Sequence, residues 1–283
     1  MHKEESSAPD YPVIPEERSS DVCNLELAES AGLILFMAGN QFMLMDELTA
    51  SFQSINPETG TIVYETLPPG LELKQILAGG AVFAGRTYRL QPDVYSSVSE
   101  QAMETLAEHD LVGKNDYFVY LHNRLALMVR KGNPRGIKGV EDLARKDVTV
   151  SQPGAEYEHI ASHAIAMYQQ SGGRQLVDTI LEEKRKEGTT IFTTVHHRET
   201  PERIVSGLAD AGPVWYTEIV EAEKAGLELE GVEVGTELDQ RQNINYFIAP
   251  VRTGRNPENA RKFLDFITSP AARRIFENHG FIT

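Results

Sequence analysis

The sequence predicts an α/β protein with two sheets and a pair of C-terminal helices. Short apolar runs alternate with segments whose apolar residues recur at helical spacing, which is typical of βαβ units and a mainly parallel sheet. The chain of 283 residues is long enough for one large domain or two medium ones. Its 41% of hydrophobic and 24% of charged residues are ordinary for a globular protein.

Strands and helices are predicted in alternation along the chain. In the first half the predicted strands are GLILFMAGN (32–40), GTIVYETLPPG (60–70) and PDVYSSVS (92–99), and the helices are 41–55, 71–81 and 100–112. In the second half the strands lie within 123–134, 148–155, 188–195, 213–216 and 244–251, and the helices are 140–147, 156–172, 200–212 and 217–226.

The C-terminal segment predicts two consecutive helices. Asn256 is a suitable cap for a helix whose first residue is Pro257, and Ser269 precedes a second helix that starts at Pro270. Gly280 is expected to stop that second helix.

The charge balance excludes some partners. There are 27 Lys and Arg residues against 42 Asp and Glu residues, so the formal charge is −15. Nucleic acids and anionic membranes bind clustered basic residues, so we expect neither as a partner. Cys23 is the only cysteine, which rules out an intrachain disulfide. The longest apolar stretch, residues 31–39, is too short to insert across a bilayer.

Residues 1–20 are polar and rich in proline, serine and charge, so we expect a disordered tail. This segment does not have the apolar core of a secretory signal. The chain is therefore expected to be either cytoplasmic or the mature form of a periplasmic protein.

Six stretches of the chain form a recognisable series: LFMAGNQFMLMDELTASFQ, GLELKQILAGGA, PDVYSSVSEQAMETL, NRLALMVRKGNPRGIKGVEDLARKDVTVSQP, ERIVSGLADAGPVWYTE and NPENARKFLDFITSPAARRIFENHGF. In this order they resemble the periplasmic solute-binding proteins of ABC importers, in particular the molybdate/tungstate-binding group. The resemblance implies a two-lobe type II periplasmic-binding-protein-like fold with a ligand cleft between the lobes. Lobe 1 would comprise 21–122 plus 245–283, and lobe 2 would comprise 123–244. It also implies an ABC transporter permease as partner, and we expect a monomer without a cofactor.

The resemblance also assigns ligand contacts in the first lobe. At the two positions where the family has oxyanion-binding serines, this chain has Asn40 and Pro69. Pro69 offers neither a hydroxyl nor an N–H group, so the adjacent Gly70 is the expected contact. Ser96 and Ser97 end the third predicted strand and are either hydroxyl donors to the ligand or capping residues for the next helix, with Ser99 as its N-cap.

In the second lobe the resemblance assigns two turns and one strand to the ligand. They contain Ala155 and Glu156, then His196, His197 and Arg198, and finally Trp215 and Tyr216. Together with the changes at the serine positions, these residues predict a wider, more aromatic and more basic cleft than a molybdate cage. A small oxyanion or a carboxylate-bearing organic molecule is the expected ligand.

The turn with His196, His197 and Arg198 has three interpretations. Thr200 is a suitable N-cap and Pro201 a suitable first helical residue, so the turn leads into a helix N-terminus that favours anions. Arg198 could bind an oxyanion through two parallel hydrogen bonds. The alternatives are a solvated turn and an acid/base pair.

His159 and His163 are spaced i, i+4, and Glu156 precedes them on the same helical face. They predict either an ordinary half-exposed face or a metal site completed by His196 or His197. For Trp215 and Tyr216, alternation on one strand predicts that one ring faces the core and the other the cleft.

Three functional hypotheses therefore remain. The first is a non-catalytic solute-binding protein in the periplasm, which captures a small anion for an ABC transporter. The second is a metal-binding protein, and the third is a cytoplasmic ligand sensor of the same fold. We expect no catalytic residues, because no nucleophile and base occur at a recognisable spacing.

Overall fold

The computed structural model describes residues 10–154, 159–194 and 199–283. The strands are β1 (Val13–Ile14), β2 (Val22–Cys23), β3 (Leu33–Phe36), β4 (Ile62–Glu65), β5 (Ala81–Phe83), β6 (Arg86–Tyr88), β7 (Val94–Ser97), β8 (Phe118–His122), β9 (Leu125–Arg130), β10 (Val150–Gln152), β11 (Thr190–Phe192), β12 (Ala211–Trp215), β13 (Leu229–Val232) and β14 (Asn245–Pro250). The α-helices are α1 (Met45–Ile55), α2 (Pro69–Ala78), α3 (Glu100–Glu108), α4 (Ile160–Asp178), α5 (Lys184–Lys186), α6 (Glu199–Ser206), α7 (Tyr216–Lys224), α8 (Pro257–Ile267) and α9 (Pro270–Asn278). Short 3-10 segments occur at Glu16–Asp21, Leu25–Ser30, Gly39–Leu44, Pro57–Thr59 and Val140–Ala144, and a π-helical turn at Thr179–Glu183.

The chain forms two compact units. Unit 1 comprises Met1–Tyr120 and Tyr246–Ile275, and unit 2 comprises Leu121–Asn245 and Phe276–Thr283. The chain passes from one unit to the other within β8, within β14 and within α9.

The main sheet of unit 1 has the strand order β2-β4-β3-β7-β14-β8. β3 pairs in parallel with β4 and with β7, whereas β14 runs antiparallel to β7. The carboxyl ends of β3, β4 and β7 therefore lie at one edge of the sheet. There the chain enters the 3-10 segment Gly39–Leu44, α2 and α3, respectively. In open α/β sheets this edge is the usual place for a ligand.

The core of unit 1 follows from the apolar pattern of its strands. Ile34, Phe36 and Tyr95 are buried together with Met103 and Leu106 of α3. Burial of these side chains supplies the main driving force for folding of the unit. A smaller sheet, of order β1-β5-β6, completes it.

The sheet of unit 2 has the order β11-β10-β12-β9-β13. β10 is parallel to β11 and β12, and β9 is antiparallel to β12 and β13. Met128, Val214 and Leu229 of this sheet pack against Ile219 of α7. The carboxyl ends of β10 and β11 lead towards residues 155–158 and 195–198, which lie outside the described residues.

The predicted α/β class is confirmed, and the C-terminal helices begin at Pro257 and Pro270 as expected. The Ser269 hydroxyl caps α9 by accepting the Ala272 N–H at 3.3 Å. Asn256 holds the N-cap position of α8, but its side chain donates to Asp93 at 3.1 Å instead of capping the helix.

Three predicted details differ in the structure. The helix expected to end at Gly172 has non-helical dihedral angles at Gly172 and Gly173 but resumes and continues to Asp178. The helix expected to be capped by Thr200 begins at Glu199, and the Thr200 hydroxyl instead lies 2.9 Å from Ser151 Oγ. Tyr216 is not on a strand, because β12 ends at Trp215 and Tyr216 begins α7.

The expected disordered tail, residues 1–20, is ordered over much of its described part. Val13 and Ile14 form β1 and pair in parallel with Val82 and Phe83 of β5. Ile14 is fully buried, so apolar burial and two backbone pairs fix this short strand. Within the described ranges, no helix combines the length and the hydrophobicity that a membrane crossing requires.

Candidate functional site

Asn40 lies at the carboxyl end of β3, in the first turn of the 3-10 segment Gly39–Leu44. Its side chain is buried, and its Nδ2 atom donates a hydrogen bond to the Tyr246 hydroxyl. Tyr246 comes from β14, two strands away in the same sheet. The structure thus places this predicted ligand residue at the expected edge of the sheet.

Ser96 lies at the same edge, one strand away, and belongs to a polar cluster. Its Oγ is 2.8 Å from the hydroxyl of Tyr120, and Tyr120 in turn donates to Gln41 Oε1 at 2.9 Å. Ser96 and Gln41 are fully buried. We call Asn40, Gln41, Ser96, Tyr120 and Tyr246 the strand-end cluster.

The sequence prediction missed three members of this cluster, Gln41, Tyr120 and Tyr246. Gln41 directly follows Asn40 after a predicted buried strand, and this position is the signal that could have found it. Tyr120 lies on β8, an edge strand with the exposed side chains Phe118 and Val119, which does not show the pattern of a buried strand.

Ser97, the other predicted serine, has a structural contact. Its hydroxyl accepts the N–H of Ser99 at 3.1 Å, just before α3 begins. Ser99 occupies the N-cap position as expected, but its own side chain makes no capping hydrogen bond. The Ser97 hydroxyl therefore orders the turn before α3 and caps none of the N–H groups of the helix itself.

Gly70 lies exposed in the first turn of α2, after Pro68 as N-cap and Pro69 as first helical residue. The N–H groups of Leu71 and Glu72 both donate to the carbonyl oxygen of Pro68. Because Pro69 has no N–H group, the first N–H group of the helix is that of Gly70, directly before the N–H groups that bond to Pro68. A Cβ at Gly70 would meet no described atom within 4 Å, so its backbone is open to approach.

The turn after β3 is packed closely against the turn after β4. A Cβ at Gly39 would lie 3.1 Å from the carbonyl oxygen of Thr66 and 3.2 Å from that of Leu67. Glycine therefore allows the turn after β3 and the turn after β4 to approach each other, which brings the backbone of Asn40 and that of Gly70 to neighbouring turns.

Below the α2 N-terminus lie two glutamates that the sequence analysis did not identify. Glu65 ends β4 and Glu72 lies in the first turn of α2, and both side chains are fully buried. Burial raises the pKa of Glu65 to about 8, with a smaller opposing effect from the hydrogen bond of Gln75. Burial, and then the charge of Glu65, also raise the pKa of Glu72 well above its usual range.

In unit 2, the five predicted residues Ala155, Glu156, His196, His197 and Arg198 lie outside the described residues. The described residues that flank them are joined. The N–H of Gly154 donates to Thr193 Oγ1 at 2.9 Å, and the N–H of Thr194 donates to Glu199 Oε1 at 2.8 Å. The turns after β10 and β11 therefore begin side by side.

Arg203 of α6 holds this end of unit 2 together. Its guanidinium donates to the carbonyl oxygens of Ile191 and Phe192, at 3.1 Å and 3.0 Å, and pairs with Glu199 at 2.7 Å. The charge of Arg203 is thus engaged within the fold.

Trp215 and Tyr216 have different environments. Trp215 is buried, with its ring 6.0 Å from that of His163. The Tyr216 ring lies under the guanidinium of Arg124, whose carbon is 3.5 Å from the ring centroid. The two residues therefore do not alternate on one strand as predicted: the Trp215 ring packs against His163, and the Tyr216 ring packs against Arg124.

His159 occupies the N-cap position of α4 and His163 lies in the first turn of the helix, with ring centroids 5.0 Å apart. Burial, and then the neighbouring His159, lower the pKa of the half-buried His163 to about 4. The Nε2 atom of His163 is buried without a hydrogen-bond partner in the described part of the chain. Among the described residues, no group of three or more His, Cys, Asp or Glu side chains is arranged to hold a metal ion.

A surface cavity of about 500 Å³ in unit 1 is separate from these groups. It is lined by Cys23, Asn24, Leu27, Asp46, Thr49, Gln53, Gly60, Thr61, Ile62 and Tyr64. None of the predicted ligand residues belongs to this lining. Burial raises the pKa of the Cys23 thiol, so the one cysteine is not an activated nucleophile.

Comparison with known proteins gives a family match over most of the chain. The family described as "Bacterial extracellular solute-binding protein" matches residues 33–282. A curated relative, the molybdate-binding protein ModA of Mycobacterium tuberculosis, is 23% identical over 235 residues, which are 82% of this chain and 81% of that protein.

Solved structures confirm the type II periplasmic-binding-protein-like fold. The periplasmic molybdate-binding protein of Azotobacter vinelandii superposes with a TM-score of 0.68 at 16% identity and covers 89% of this chain and 99% of its own. The sulfate-binding protein SubI of Mycobacterium tuberculosis gives a TM-score of 0.68 at 18% identity and covers 88% of this chain and 85% of its own. The resemblance to molybdate-binding-like solute-binding proteins is therefore confirmed.

Proposed function

This chain belongs to the family of bacterial extracellular solute-binding proteins, and we propose that it captures a small anion for an ABC transporter. The ligand is either an oxyanion or a carboxylate-bearing organic molecule. The relatives named for molybdate and sulfate support a small anion at the level of the family. Family membership supports a binding role without catalysis.

The strand-end cluster of unit 1 is the observation that carries this proposal. Asn40, Ser96 and Tyr120 present amide and hydroxyl groups at the carboxyl end of the main sheet. The N–H of Gly70 adds a backbone donor at the α2 N-terminus, where the helix dipole favours negative charge. None of these four groups carries a formal charge. Backbone N–H groups at helix N-termini and hydroxyl groups can bind an oxyanion through hydrogen bonds alone, without a salt bridge.

Asn40 and Pro69 stand at the two positions where the family resemblance implies oxyanion-binding serines, so we propose that this chain contacts its anion through other groups there. Asn40 contributes an amide with two N–H groups, one of which is directed to Tyr246. Pro69 contributes no donor, and Gly70 takes its place. We propose that the unit 2 contacts come from Ala155, Glu156, His196, His197, Arg198, Trp215 and Tyr216, as the resemblance implies.

Isothermal titration calorimetry tests the proposal. The purified protein is titrated with molybdate, tungstate, sulfate and phosphate, and with citrate and succinate as carboxylates. We expect at least one anion to bind with a stoichiometry of one, whereas NaCl at equal ionic strength gives no heat of binding. No binding by any oxyanion or carboxylate would contradict the anion proposal.

The partner and location are proposed on the same family grounds. We propose that an ABC permease receives the ligand, that the protein acts outside the cytoplasm as a monomer, and that it needs no cofactor. Fractionation of cells that express the natural gene separates this proposal from a cytoplasmic sensor of the same fold, which would remain in the cytosol.

A second candidate function is metal binding at His159 and His163. The two neutral imidazoles are close together, and His163 Nε2 has no partner among the described residues. Imidazole nitrogens at this spacing bind zinc, copper or nickel. Elemental analysis after reconstitution with Zn²⁺ tests it, with His163→Gln as the variant. Metal content that stays sub-stoichiometric in the unmodified protein would eliminate this candidate.

A further inference from the structure

Two buried carboxyl groups lie beneath the proposed anion contact at Gly70. Glu65 and Glu72 are fully buried, and no Lys or Arg of the described residues is among the groups that shift the pKa of either carboxyl. An ionised carboxylate that is removed from water without a cation is strongly disfavoured. Burial and the lack of a cationic partner therefore favour the uncharged form of both groups.

The hydrogen bonds of Glu65 and Glu72 also favour the uncharged form of both groups. Gln75 Nε2 donates to Glu65 Oε2 at 2.9 Å, and the N–H of Leu67 donates to Glu72 Oε1 at 3.1 Å. The other oxygen of each carboxyl, Glu65 Oε1 and Glu72 Oε2, is buried without a partner. One donor for each group is fewer than a buried carboxylate requires.

A proton on Glu65 would satisfy two of the unpartnered atoms. Gln75 Oε1 is also buried without a donor, and it belongs to the same amide that donates to Glu65. A protonated Oε1 of Glu65 supplies the missing donor for Gln75 Oε1. The acid and the amide then exchange two hydrogen bonds, one in each direction, and no charge remains.

The surrounding titratable groups do not offset a charge at this place. Asp21 faces Glu72 from the end of the 3-10 segment Glu16–Asp21 and is paired with Arg18 at 3.2 Å. The phenols of Tyr95 and Tyr120 face Glu72 from β7 and β8, and burial is the main cause that raises the pKa of each. Glu65 and Glu72 also repel each other when ionised. Every one of these neighbours is neutral, paired or negative.

We propose that Glu65 and Glu72 are neutral positioning residues, and that their uncharged state allows the α2 N-terminus to accept an anion at Gly70. Glu72 accepts the N–H of Leu67, the residue directly before the N-cap Pro68, and so fixes the turn that leads into α2. An ionised Glu72 in the first turn of α2 would itself occupy the positive end of the helix dipole and repel a bound anion. The proposal has two halves: the neutral state of the two glutamates, and its effect on anion binding at Gly70. Only the second half rests on the proposed function.

The first half is tested without any ligand, from the pH dependence of urea unfolding. A carboxyl whose folded pKa is raised keeps its proton in the native state and releases it on unfolding. Such a group stabilises the fold below the unfolded pKa of 4.5, and that contribution is lost as pH rises towards about 8 for Glu65. Between these limits, unfolding releases one additional proton for each such group.

We compare the unmodified protein with Glu65→Gln, Glu72→Gln and the double variant, with the exposed Glu108→Gln as control. The glutamine variants keep an oxygen that can accept the Leu67 N–H or the Gln75 N–H. We expect each single variant to release one proton fewer on unfolding between pH 5.5 and 7, the double variant two fewer, and Glu108→Gln the same number as the unmodified protein. An equal release in all proteins would overturn the neutral state.

The second half is tested with sulfate, whose charge is constant between pH 6 and pH 9. We expect its affinity for the unmodified protein to fall by at least about tenfold over this range, as a nearby negative charge forms. The double variant should lose clearly less, because its glutamines do not ionise. An equal loss in both proteins contradicts the coupling. If sulfate binds neither protein at any pH while the proton release is as expected, the coupling at Gly70 is contradicted, whereas anion capture itself is contradicted only when every anion of the calorimetric series also fails to bind.

Discussion

The side-chain oxygen of Ser96 lies 2.8 Å from the phenolic oxygen of Tyr120, which donates to the amide of Gln41. These three groups come from β7, β8 and the turn after β3. The hydrogen bonds fix buried side chains of three separate segments at one edge of the sheet. Such fixed donors bind a ligand without a large ordering cost.

We predict that Ser96→Ala weakens binding of the tightest anion by roughly 10- to 100-fold, since a hydrogen bond to a charged group contributes about 1.5–3 kcal/mol. Calorimetric titration measures the change. Thr105→Ala on α3, which removes a hydroxyl bonded only to the helix backbone at Gln101, serves as control and should bind as the unmodified protein does. An unchanged affinity in Ser96→Ala would remove Ser96 from the site.

A change of charge at Asn40 tests whether the group that binds there is an anion. Asn40→Asp places a carboxylate at the end of β3, and we expect it to reduce anion affinity by more than about tenfold at pH 7.5 because of like-charge repulsion. Asn40→Ser introduces the hydroxyl that the family resemblance implies at this position and should retain binding. If Asn40→Asp binds as well as Asn40→Ser, the ligand is not an anion at this position.

The His163 and Trp215 rings predict a pH-dependent fluorescence change. Burial and the neighbouring His159 lower the pKa of His163 to about 4, so the native state keeps the imidazole neutral. As pH falls from 6.5 the unfolded state binds the proton first, so this histidine reduces stability on acidification. Since Trp215 is the only tryptophan, its fluorescence should change with a midpoint near pH 4, with circular dichroism confirming that the fold persists.

Two variants serve as controls for this titration. His163→Gln should abolish the transition, and His159→Gln should move its midpoint upward because one of the two causes of the lowered pKa is removed. A midpoint near pH 6.5, or a transition that persists in His163→Gln, would contradict the environment found for His163.

The close approach of the two unit 2 turns predicts a sharp cost at one glycine. A Cβ at Gly154 would lie 2.7 Å from the carbonyl oxygen of Thr193, whereas a Cβ at Gly139 would meet no described atom within 4 Å. We expect Gly154→Ala to lower the free energy of unfolding by about 1–3 kcal/mol, since backbone must move apart. Gly139→Ala, which has extended backbone, should be nearly neutral in the same urea titration. Equal stabilities would contradict the observed approach.

Much of the fold could be predicted from the sequence because the apolar residues of the long elements recur with a clear period. The helices that start at Pro257 and Pro270 also carry strong local signals. The short strands β1, β2, β5, β6 and β13 were missed, because two to four residues cannot display a period. The strand at β8 was missed because its pairing partner, β14, is more than 100 residues away and supplies what its own pattern does not.

The site was predictable only in part. The family resemblance pointed to Asn40 and the end of a predicted strand pointed to Ser96, and the structure places both in the strand-end cluster. Glu65 and Glu72 could not be found, because a charged residue at a strand end or in a first helical turn is normally solvated. Their burial depends on how α2 packs against the sheet, which local sequence does not encode.

The most direct test of the account is a crystal structure of the protein with the tightest anion from the calorimetric series, with anomalous scattering to locate it if that anion is molybdate or tungstate. The account predicts that the anion lies within hydrogen-bond distance of the N–H of Gly70 and of the side chain of Asn40 or Ser96. Well-ordered density for the anion elsewhere, such as beside His159 and His163 or in the cavity at Cys23, with none at the strand-end cluster, would contradict it.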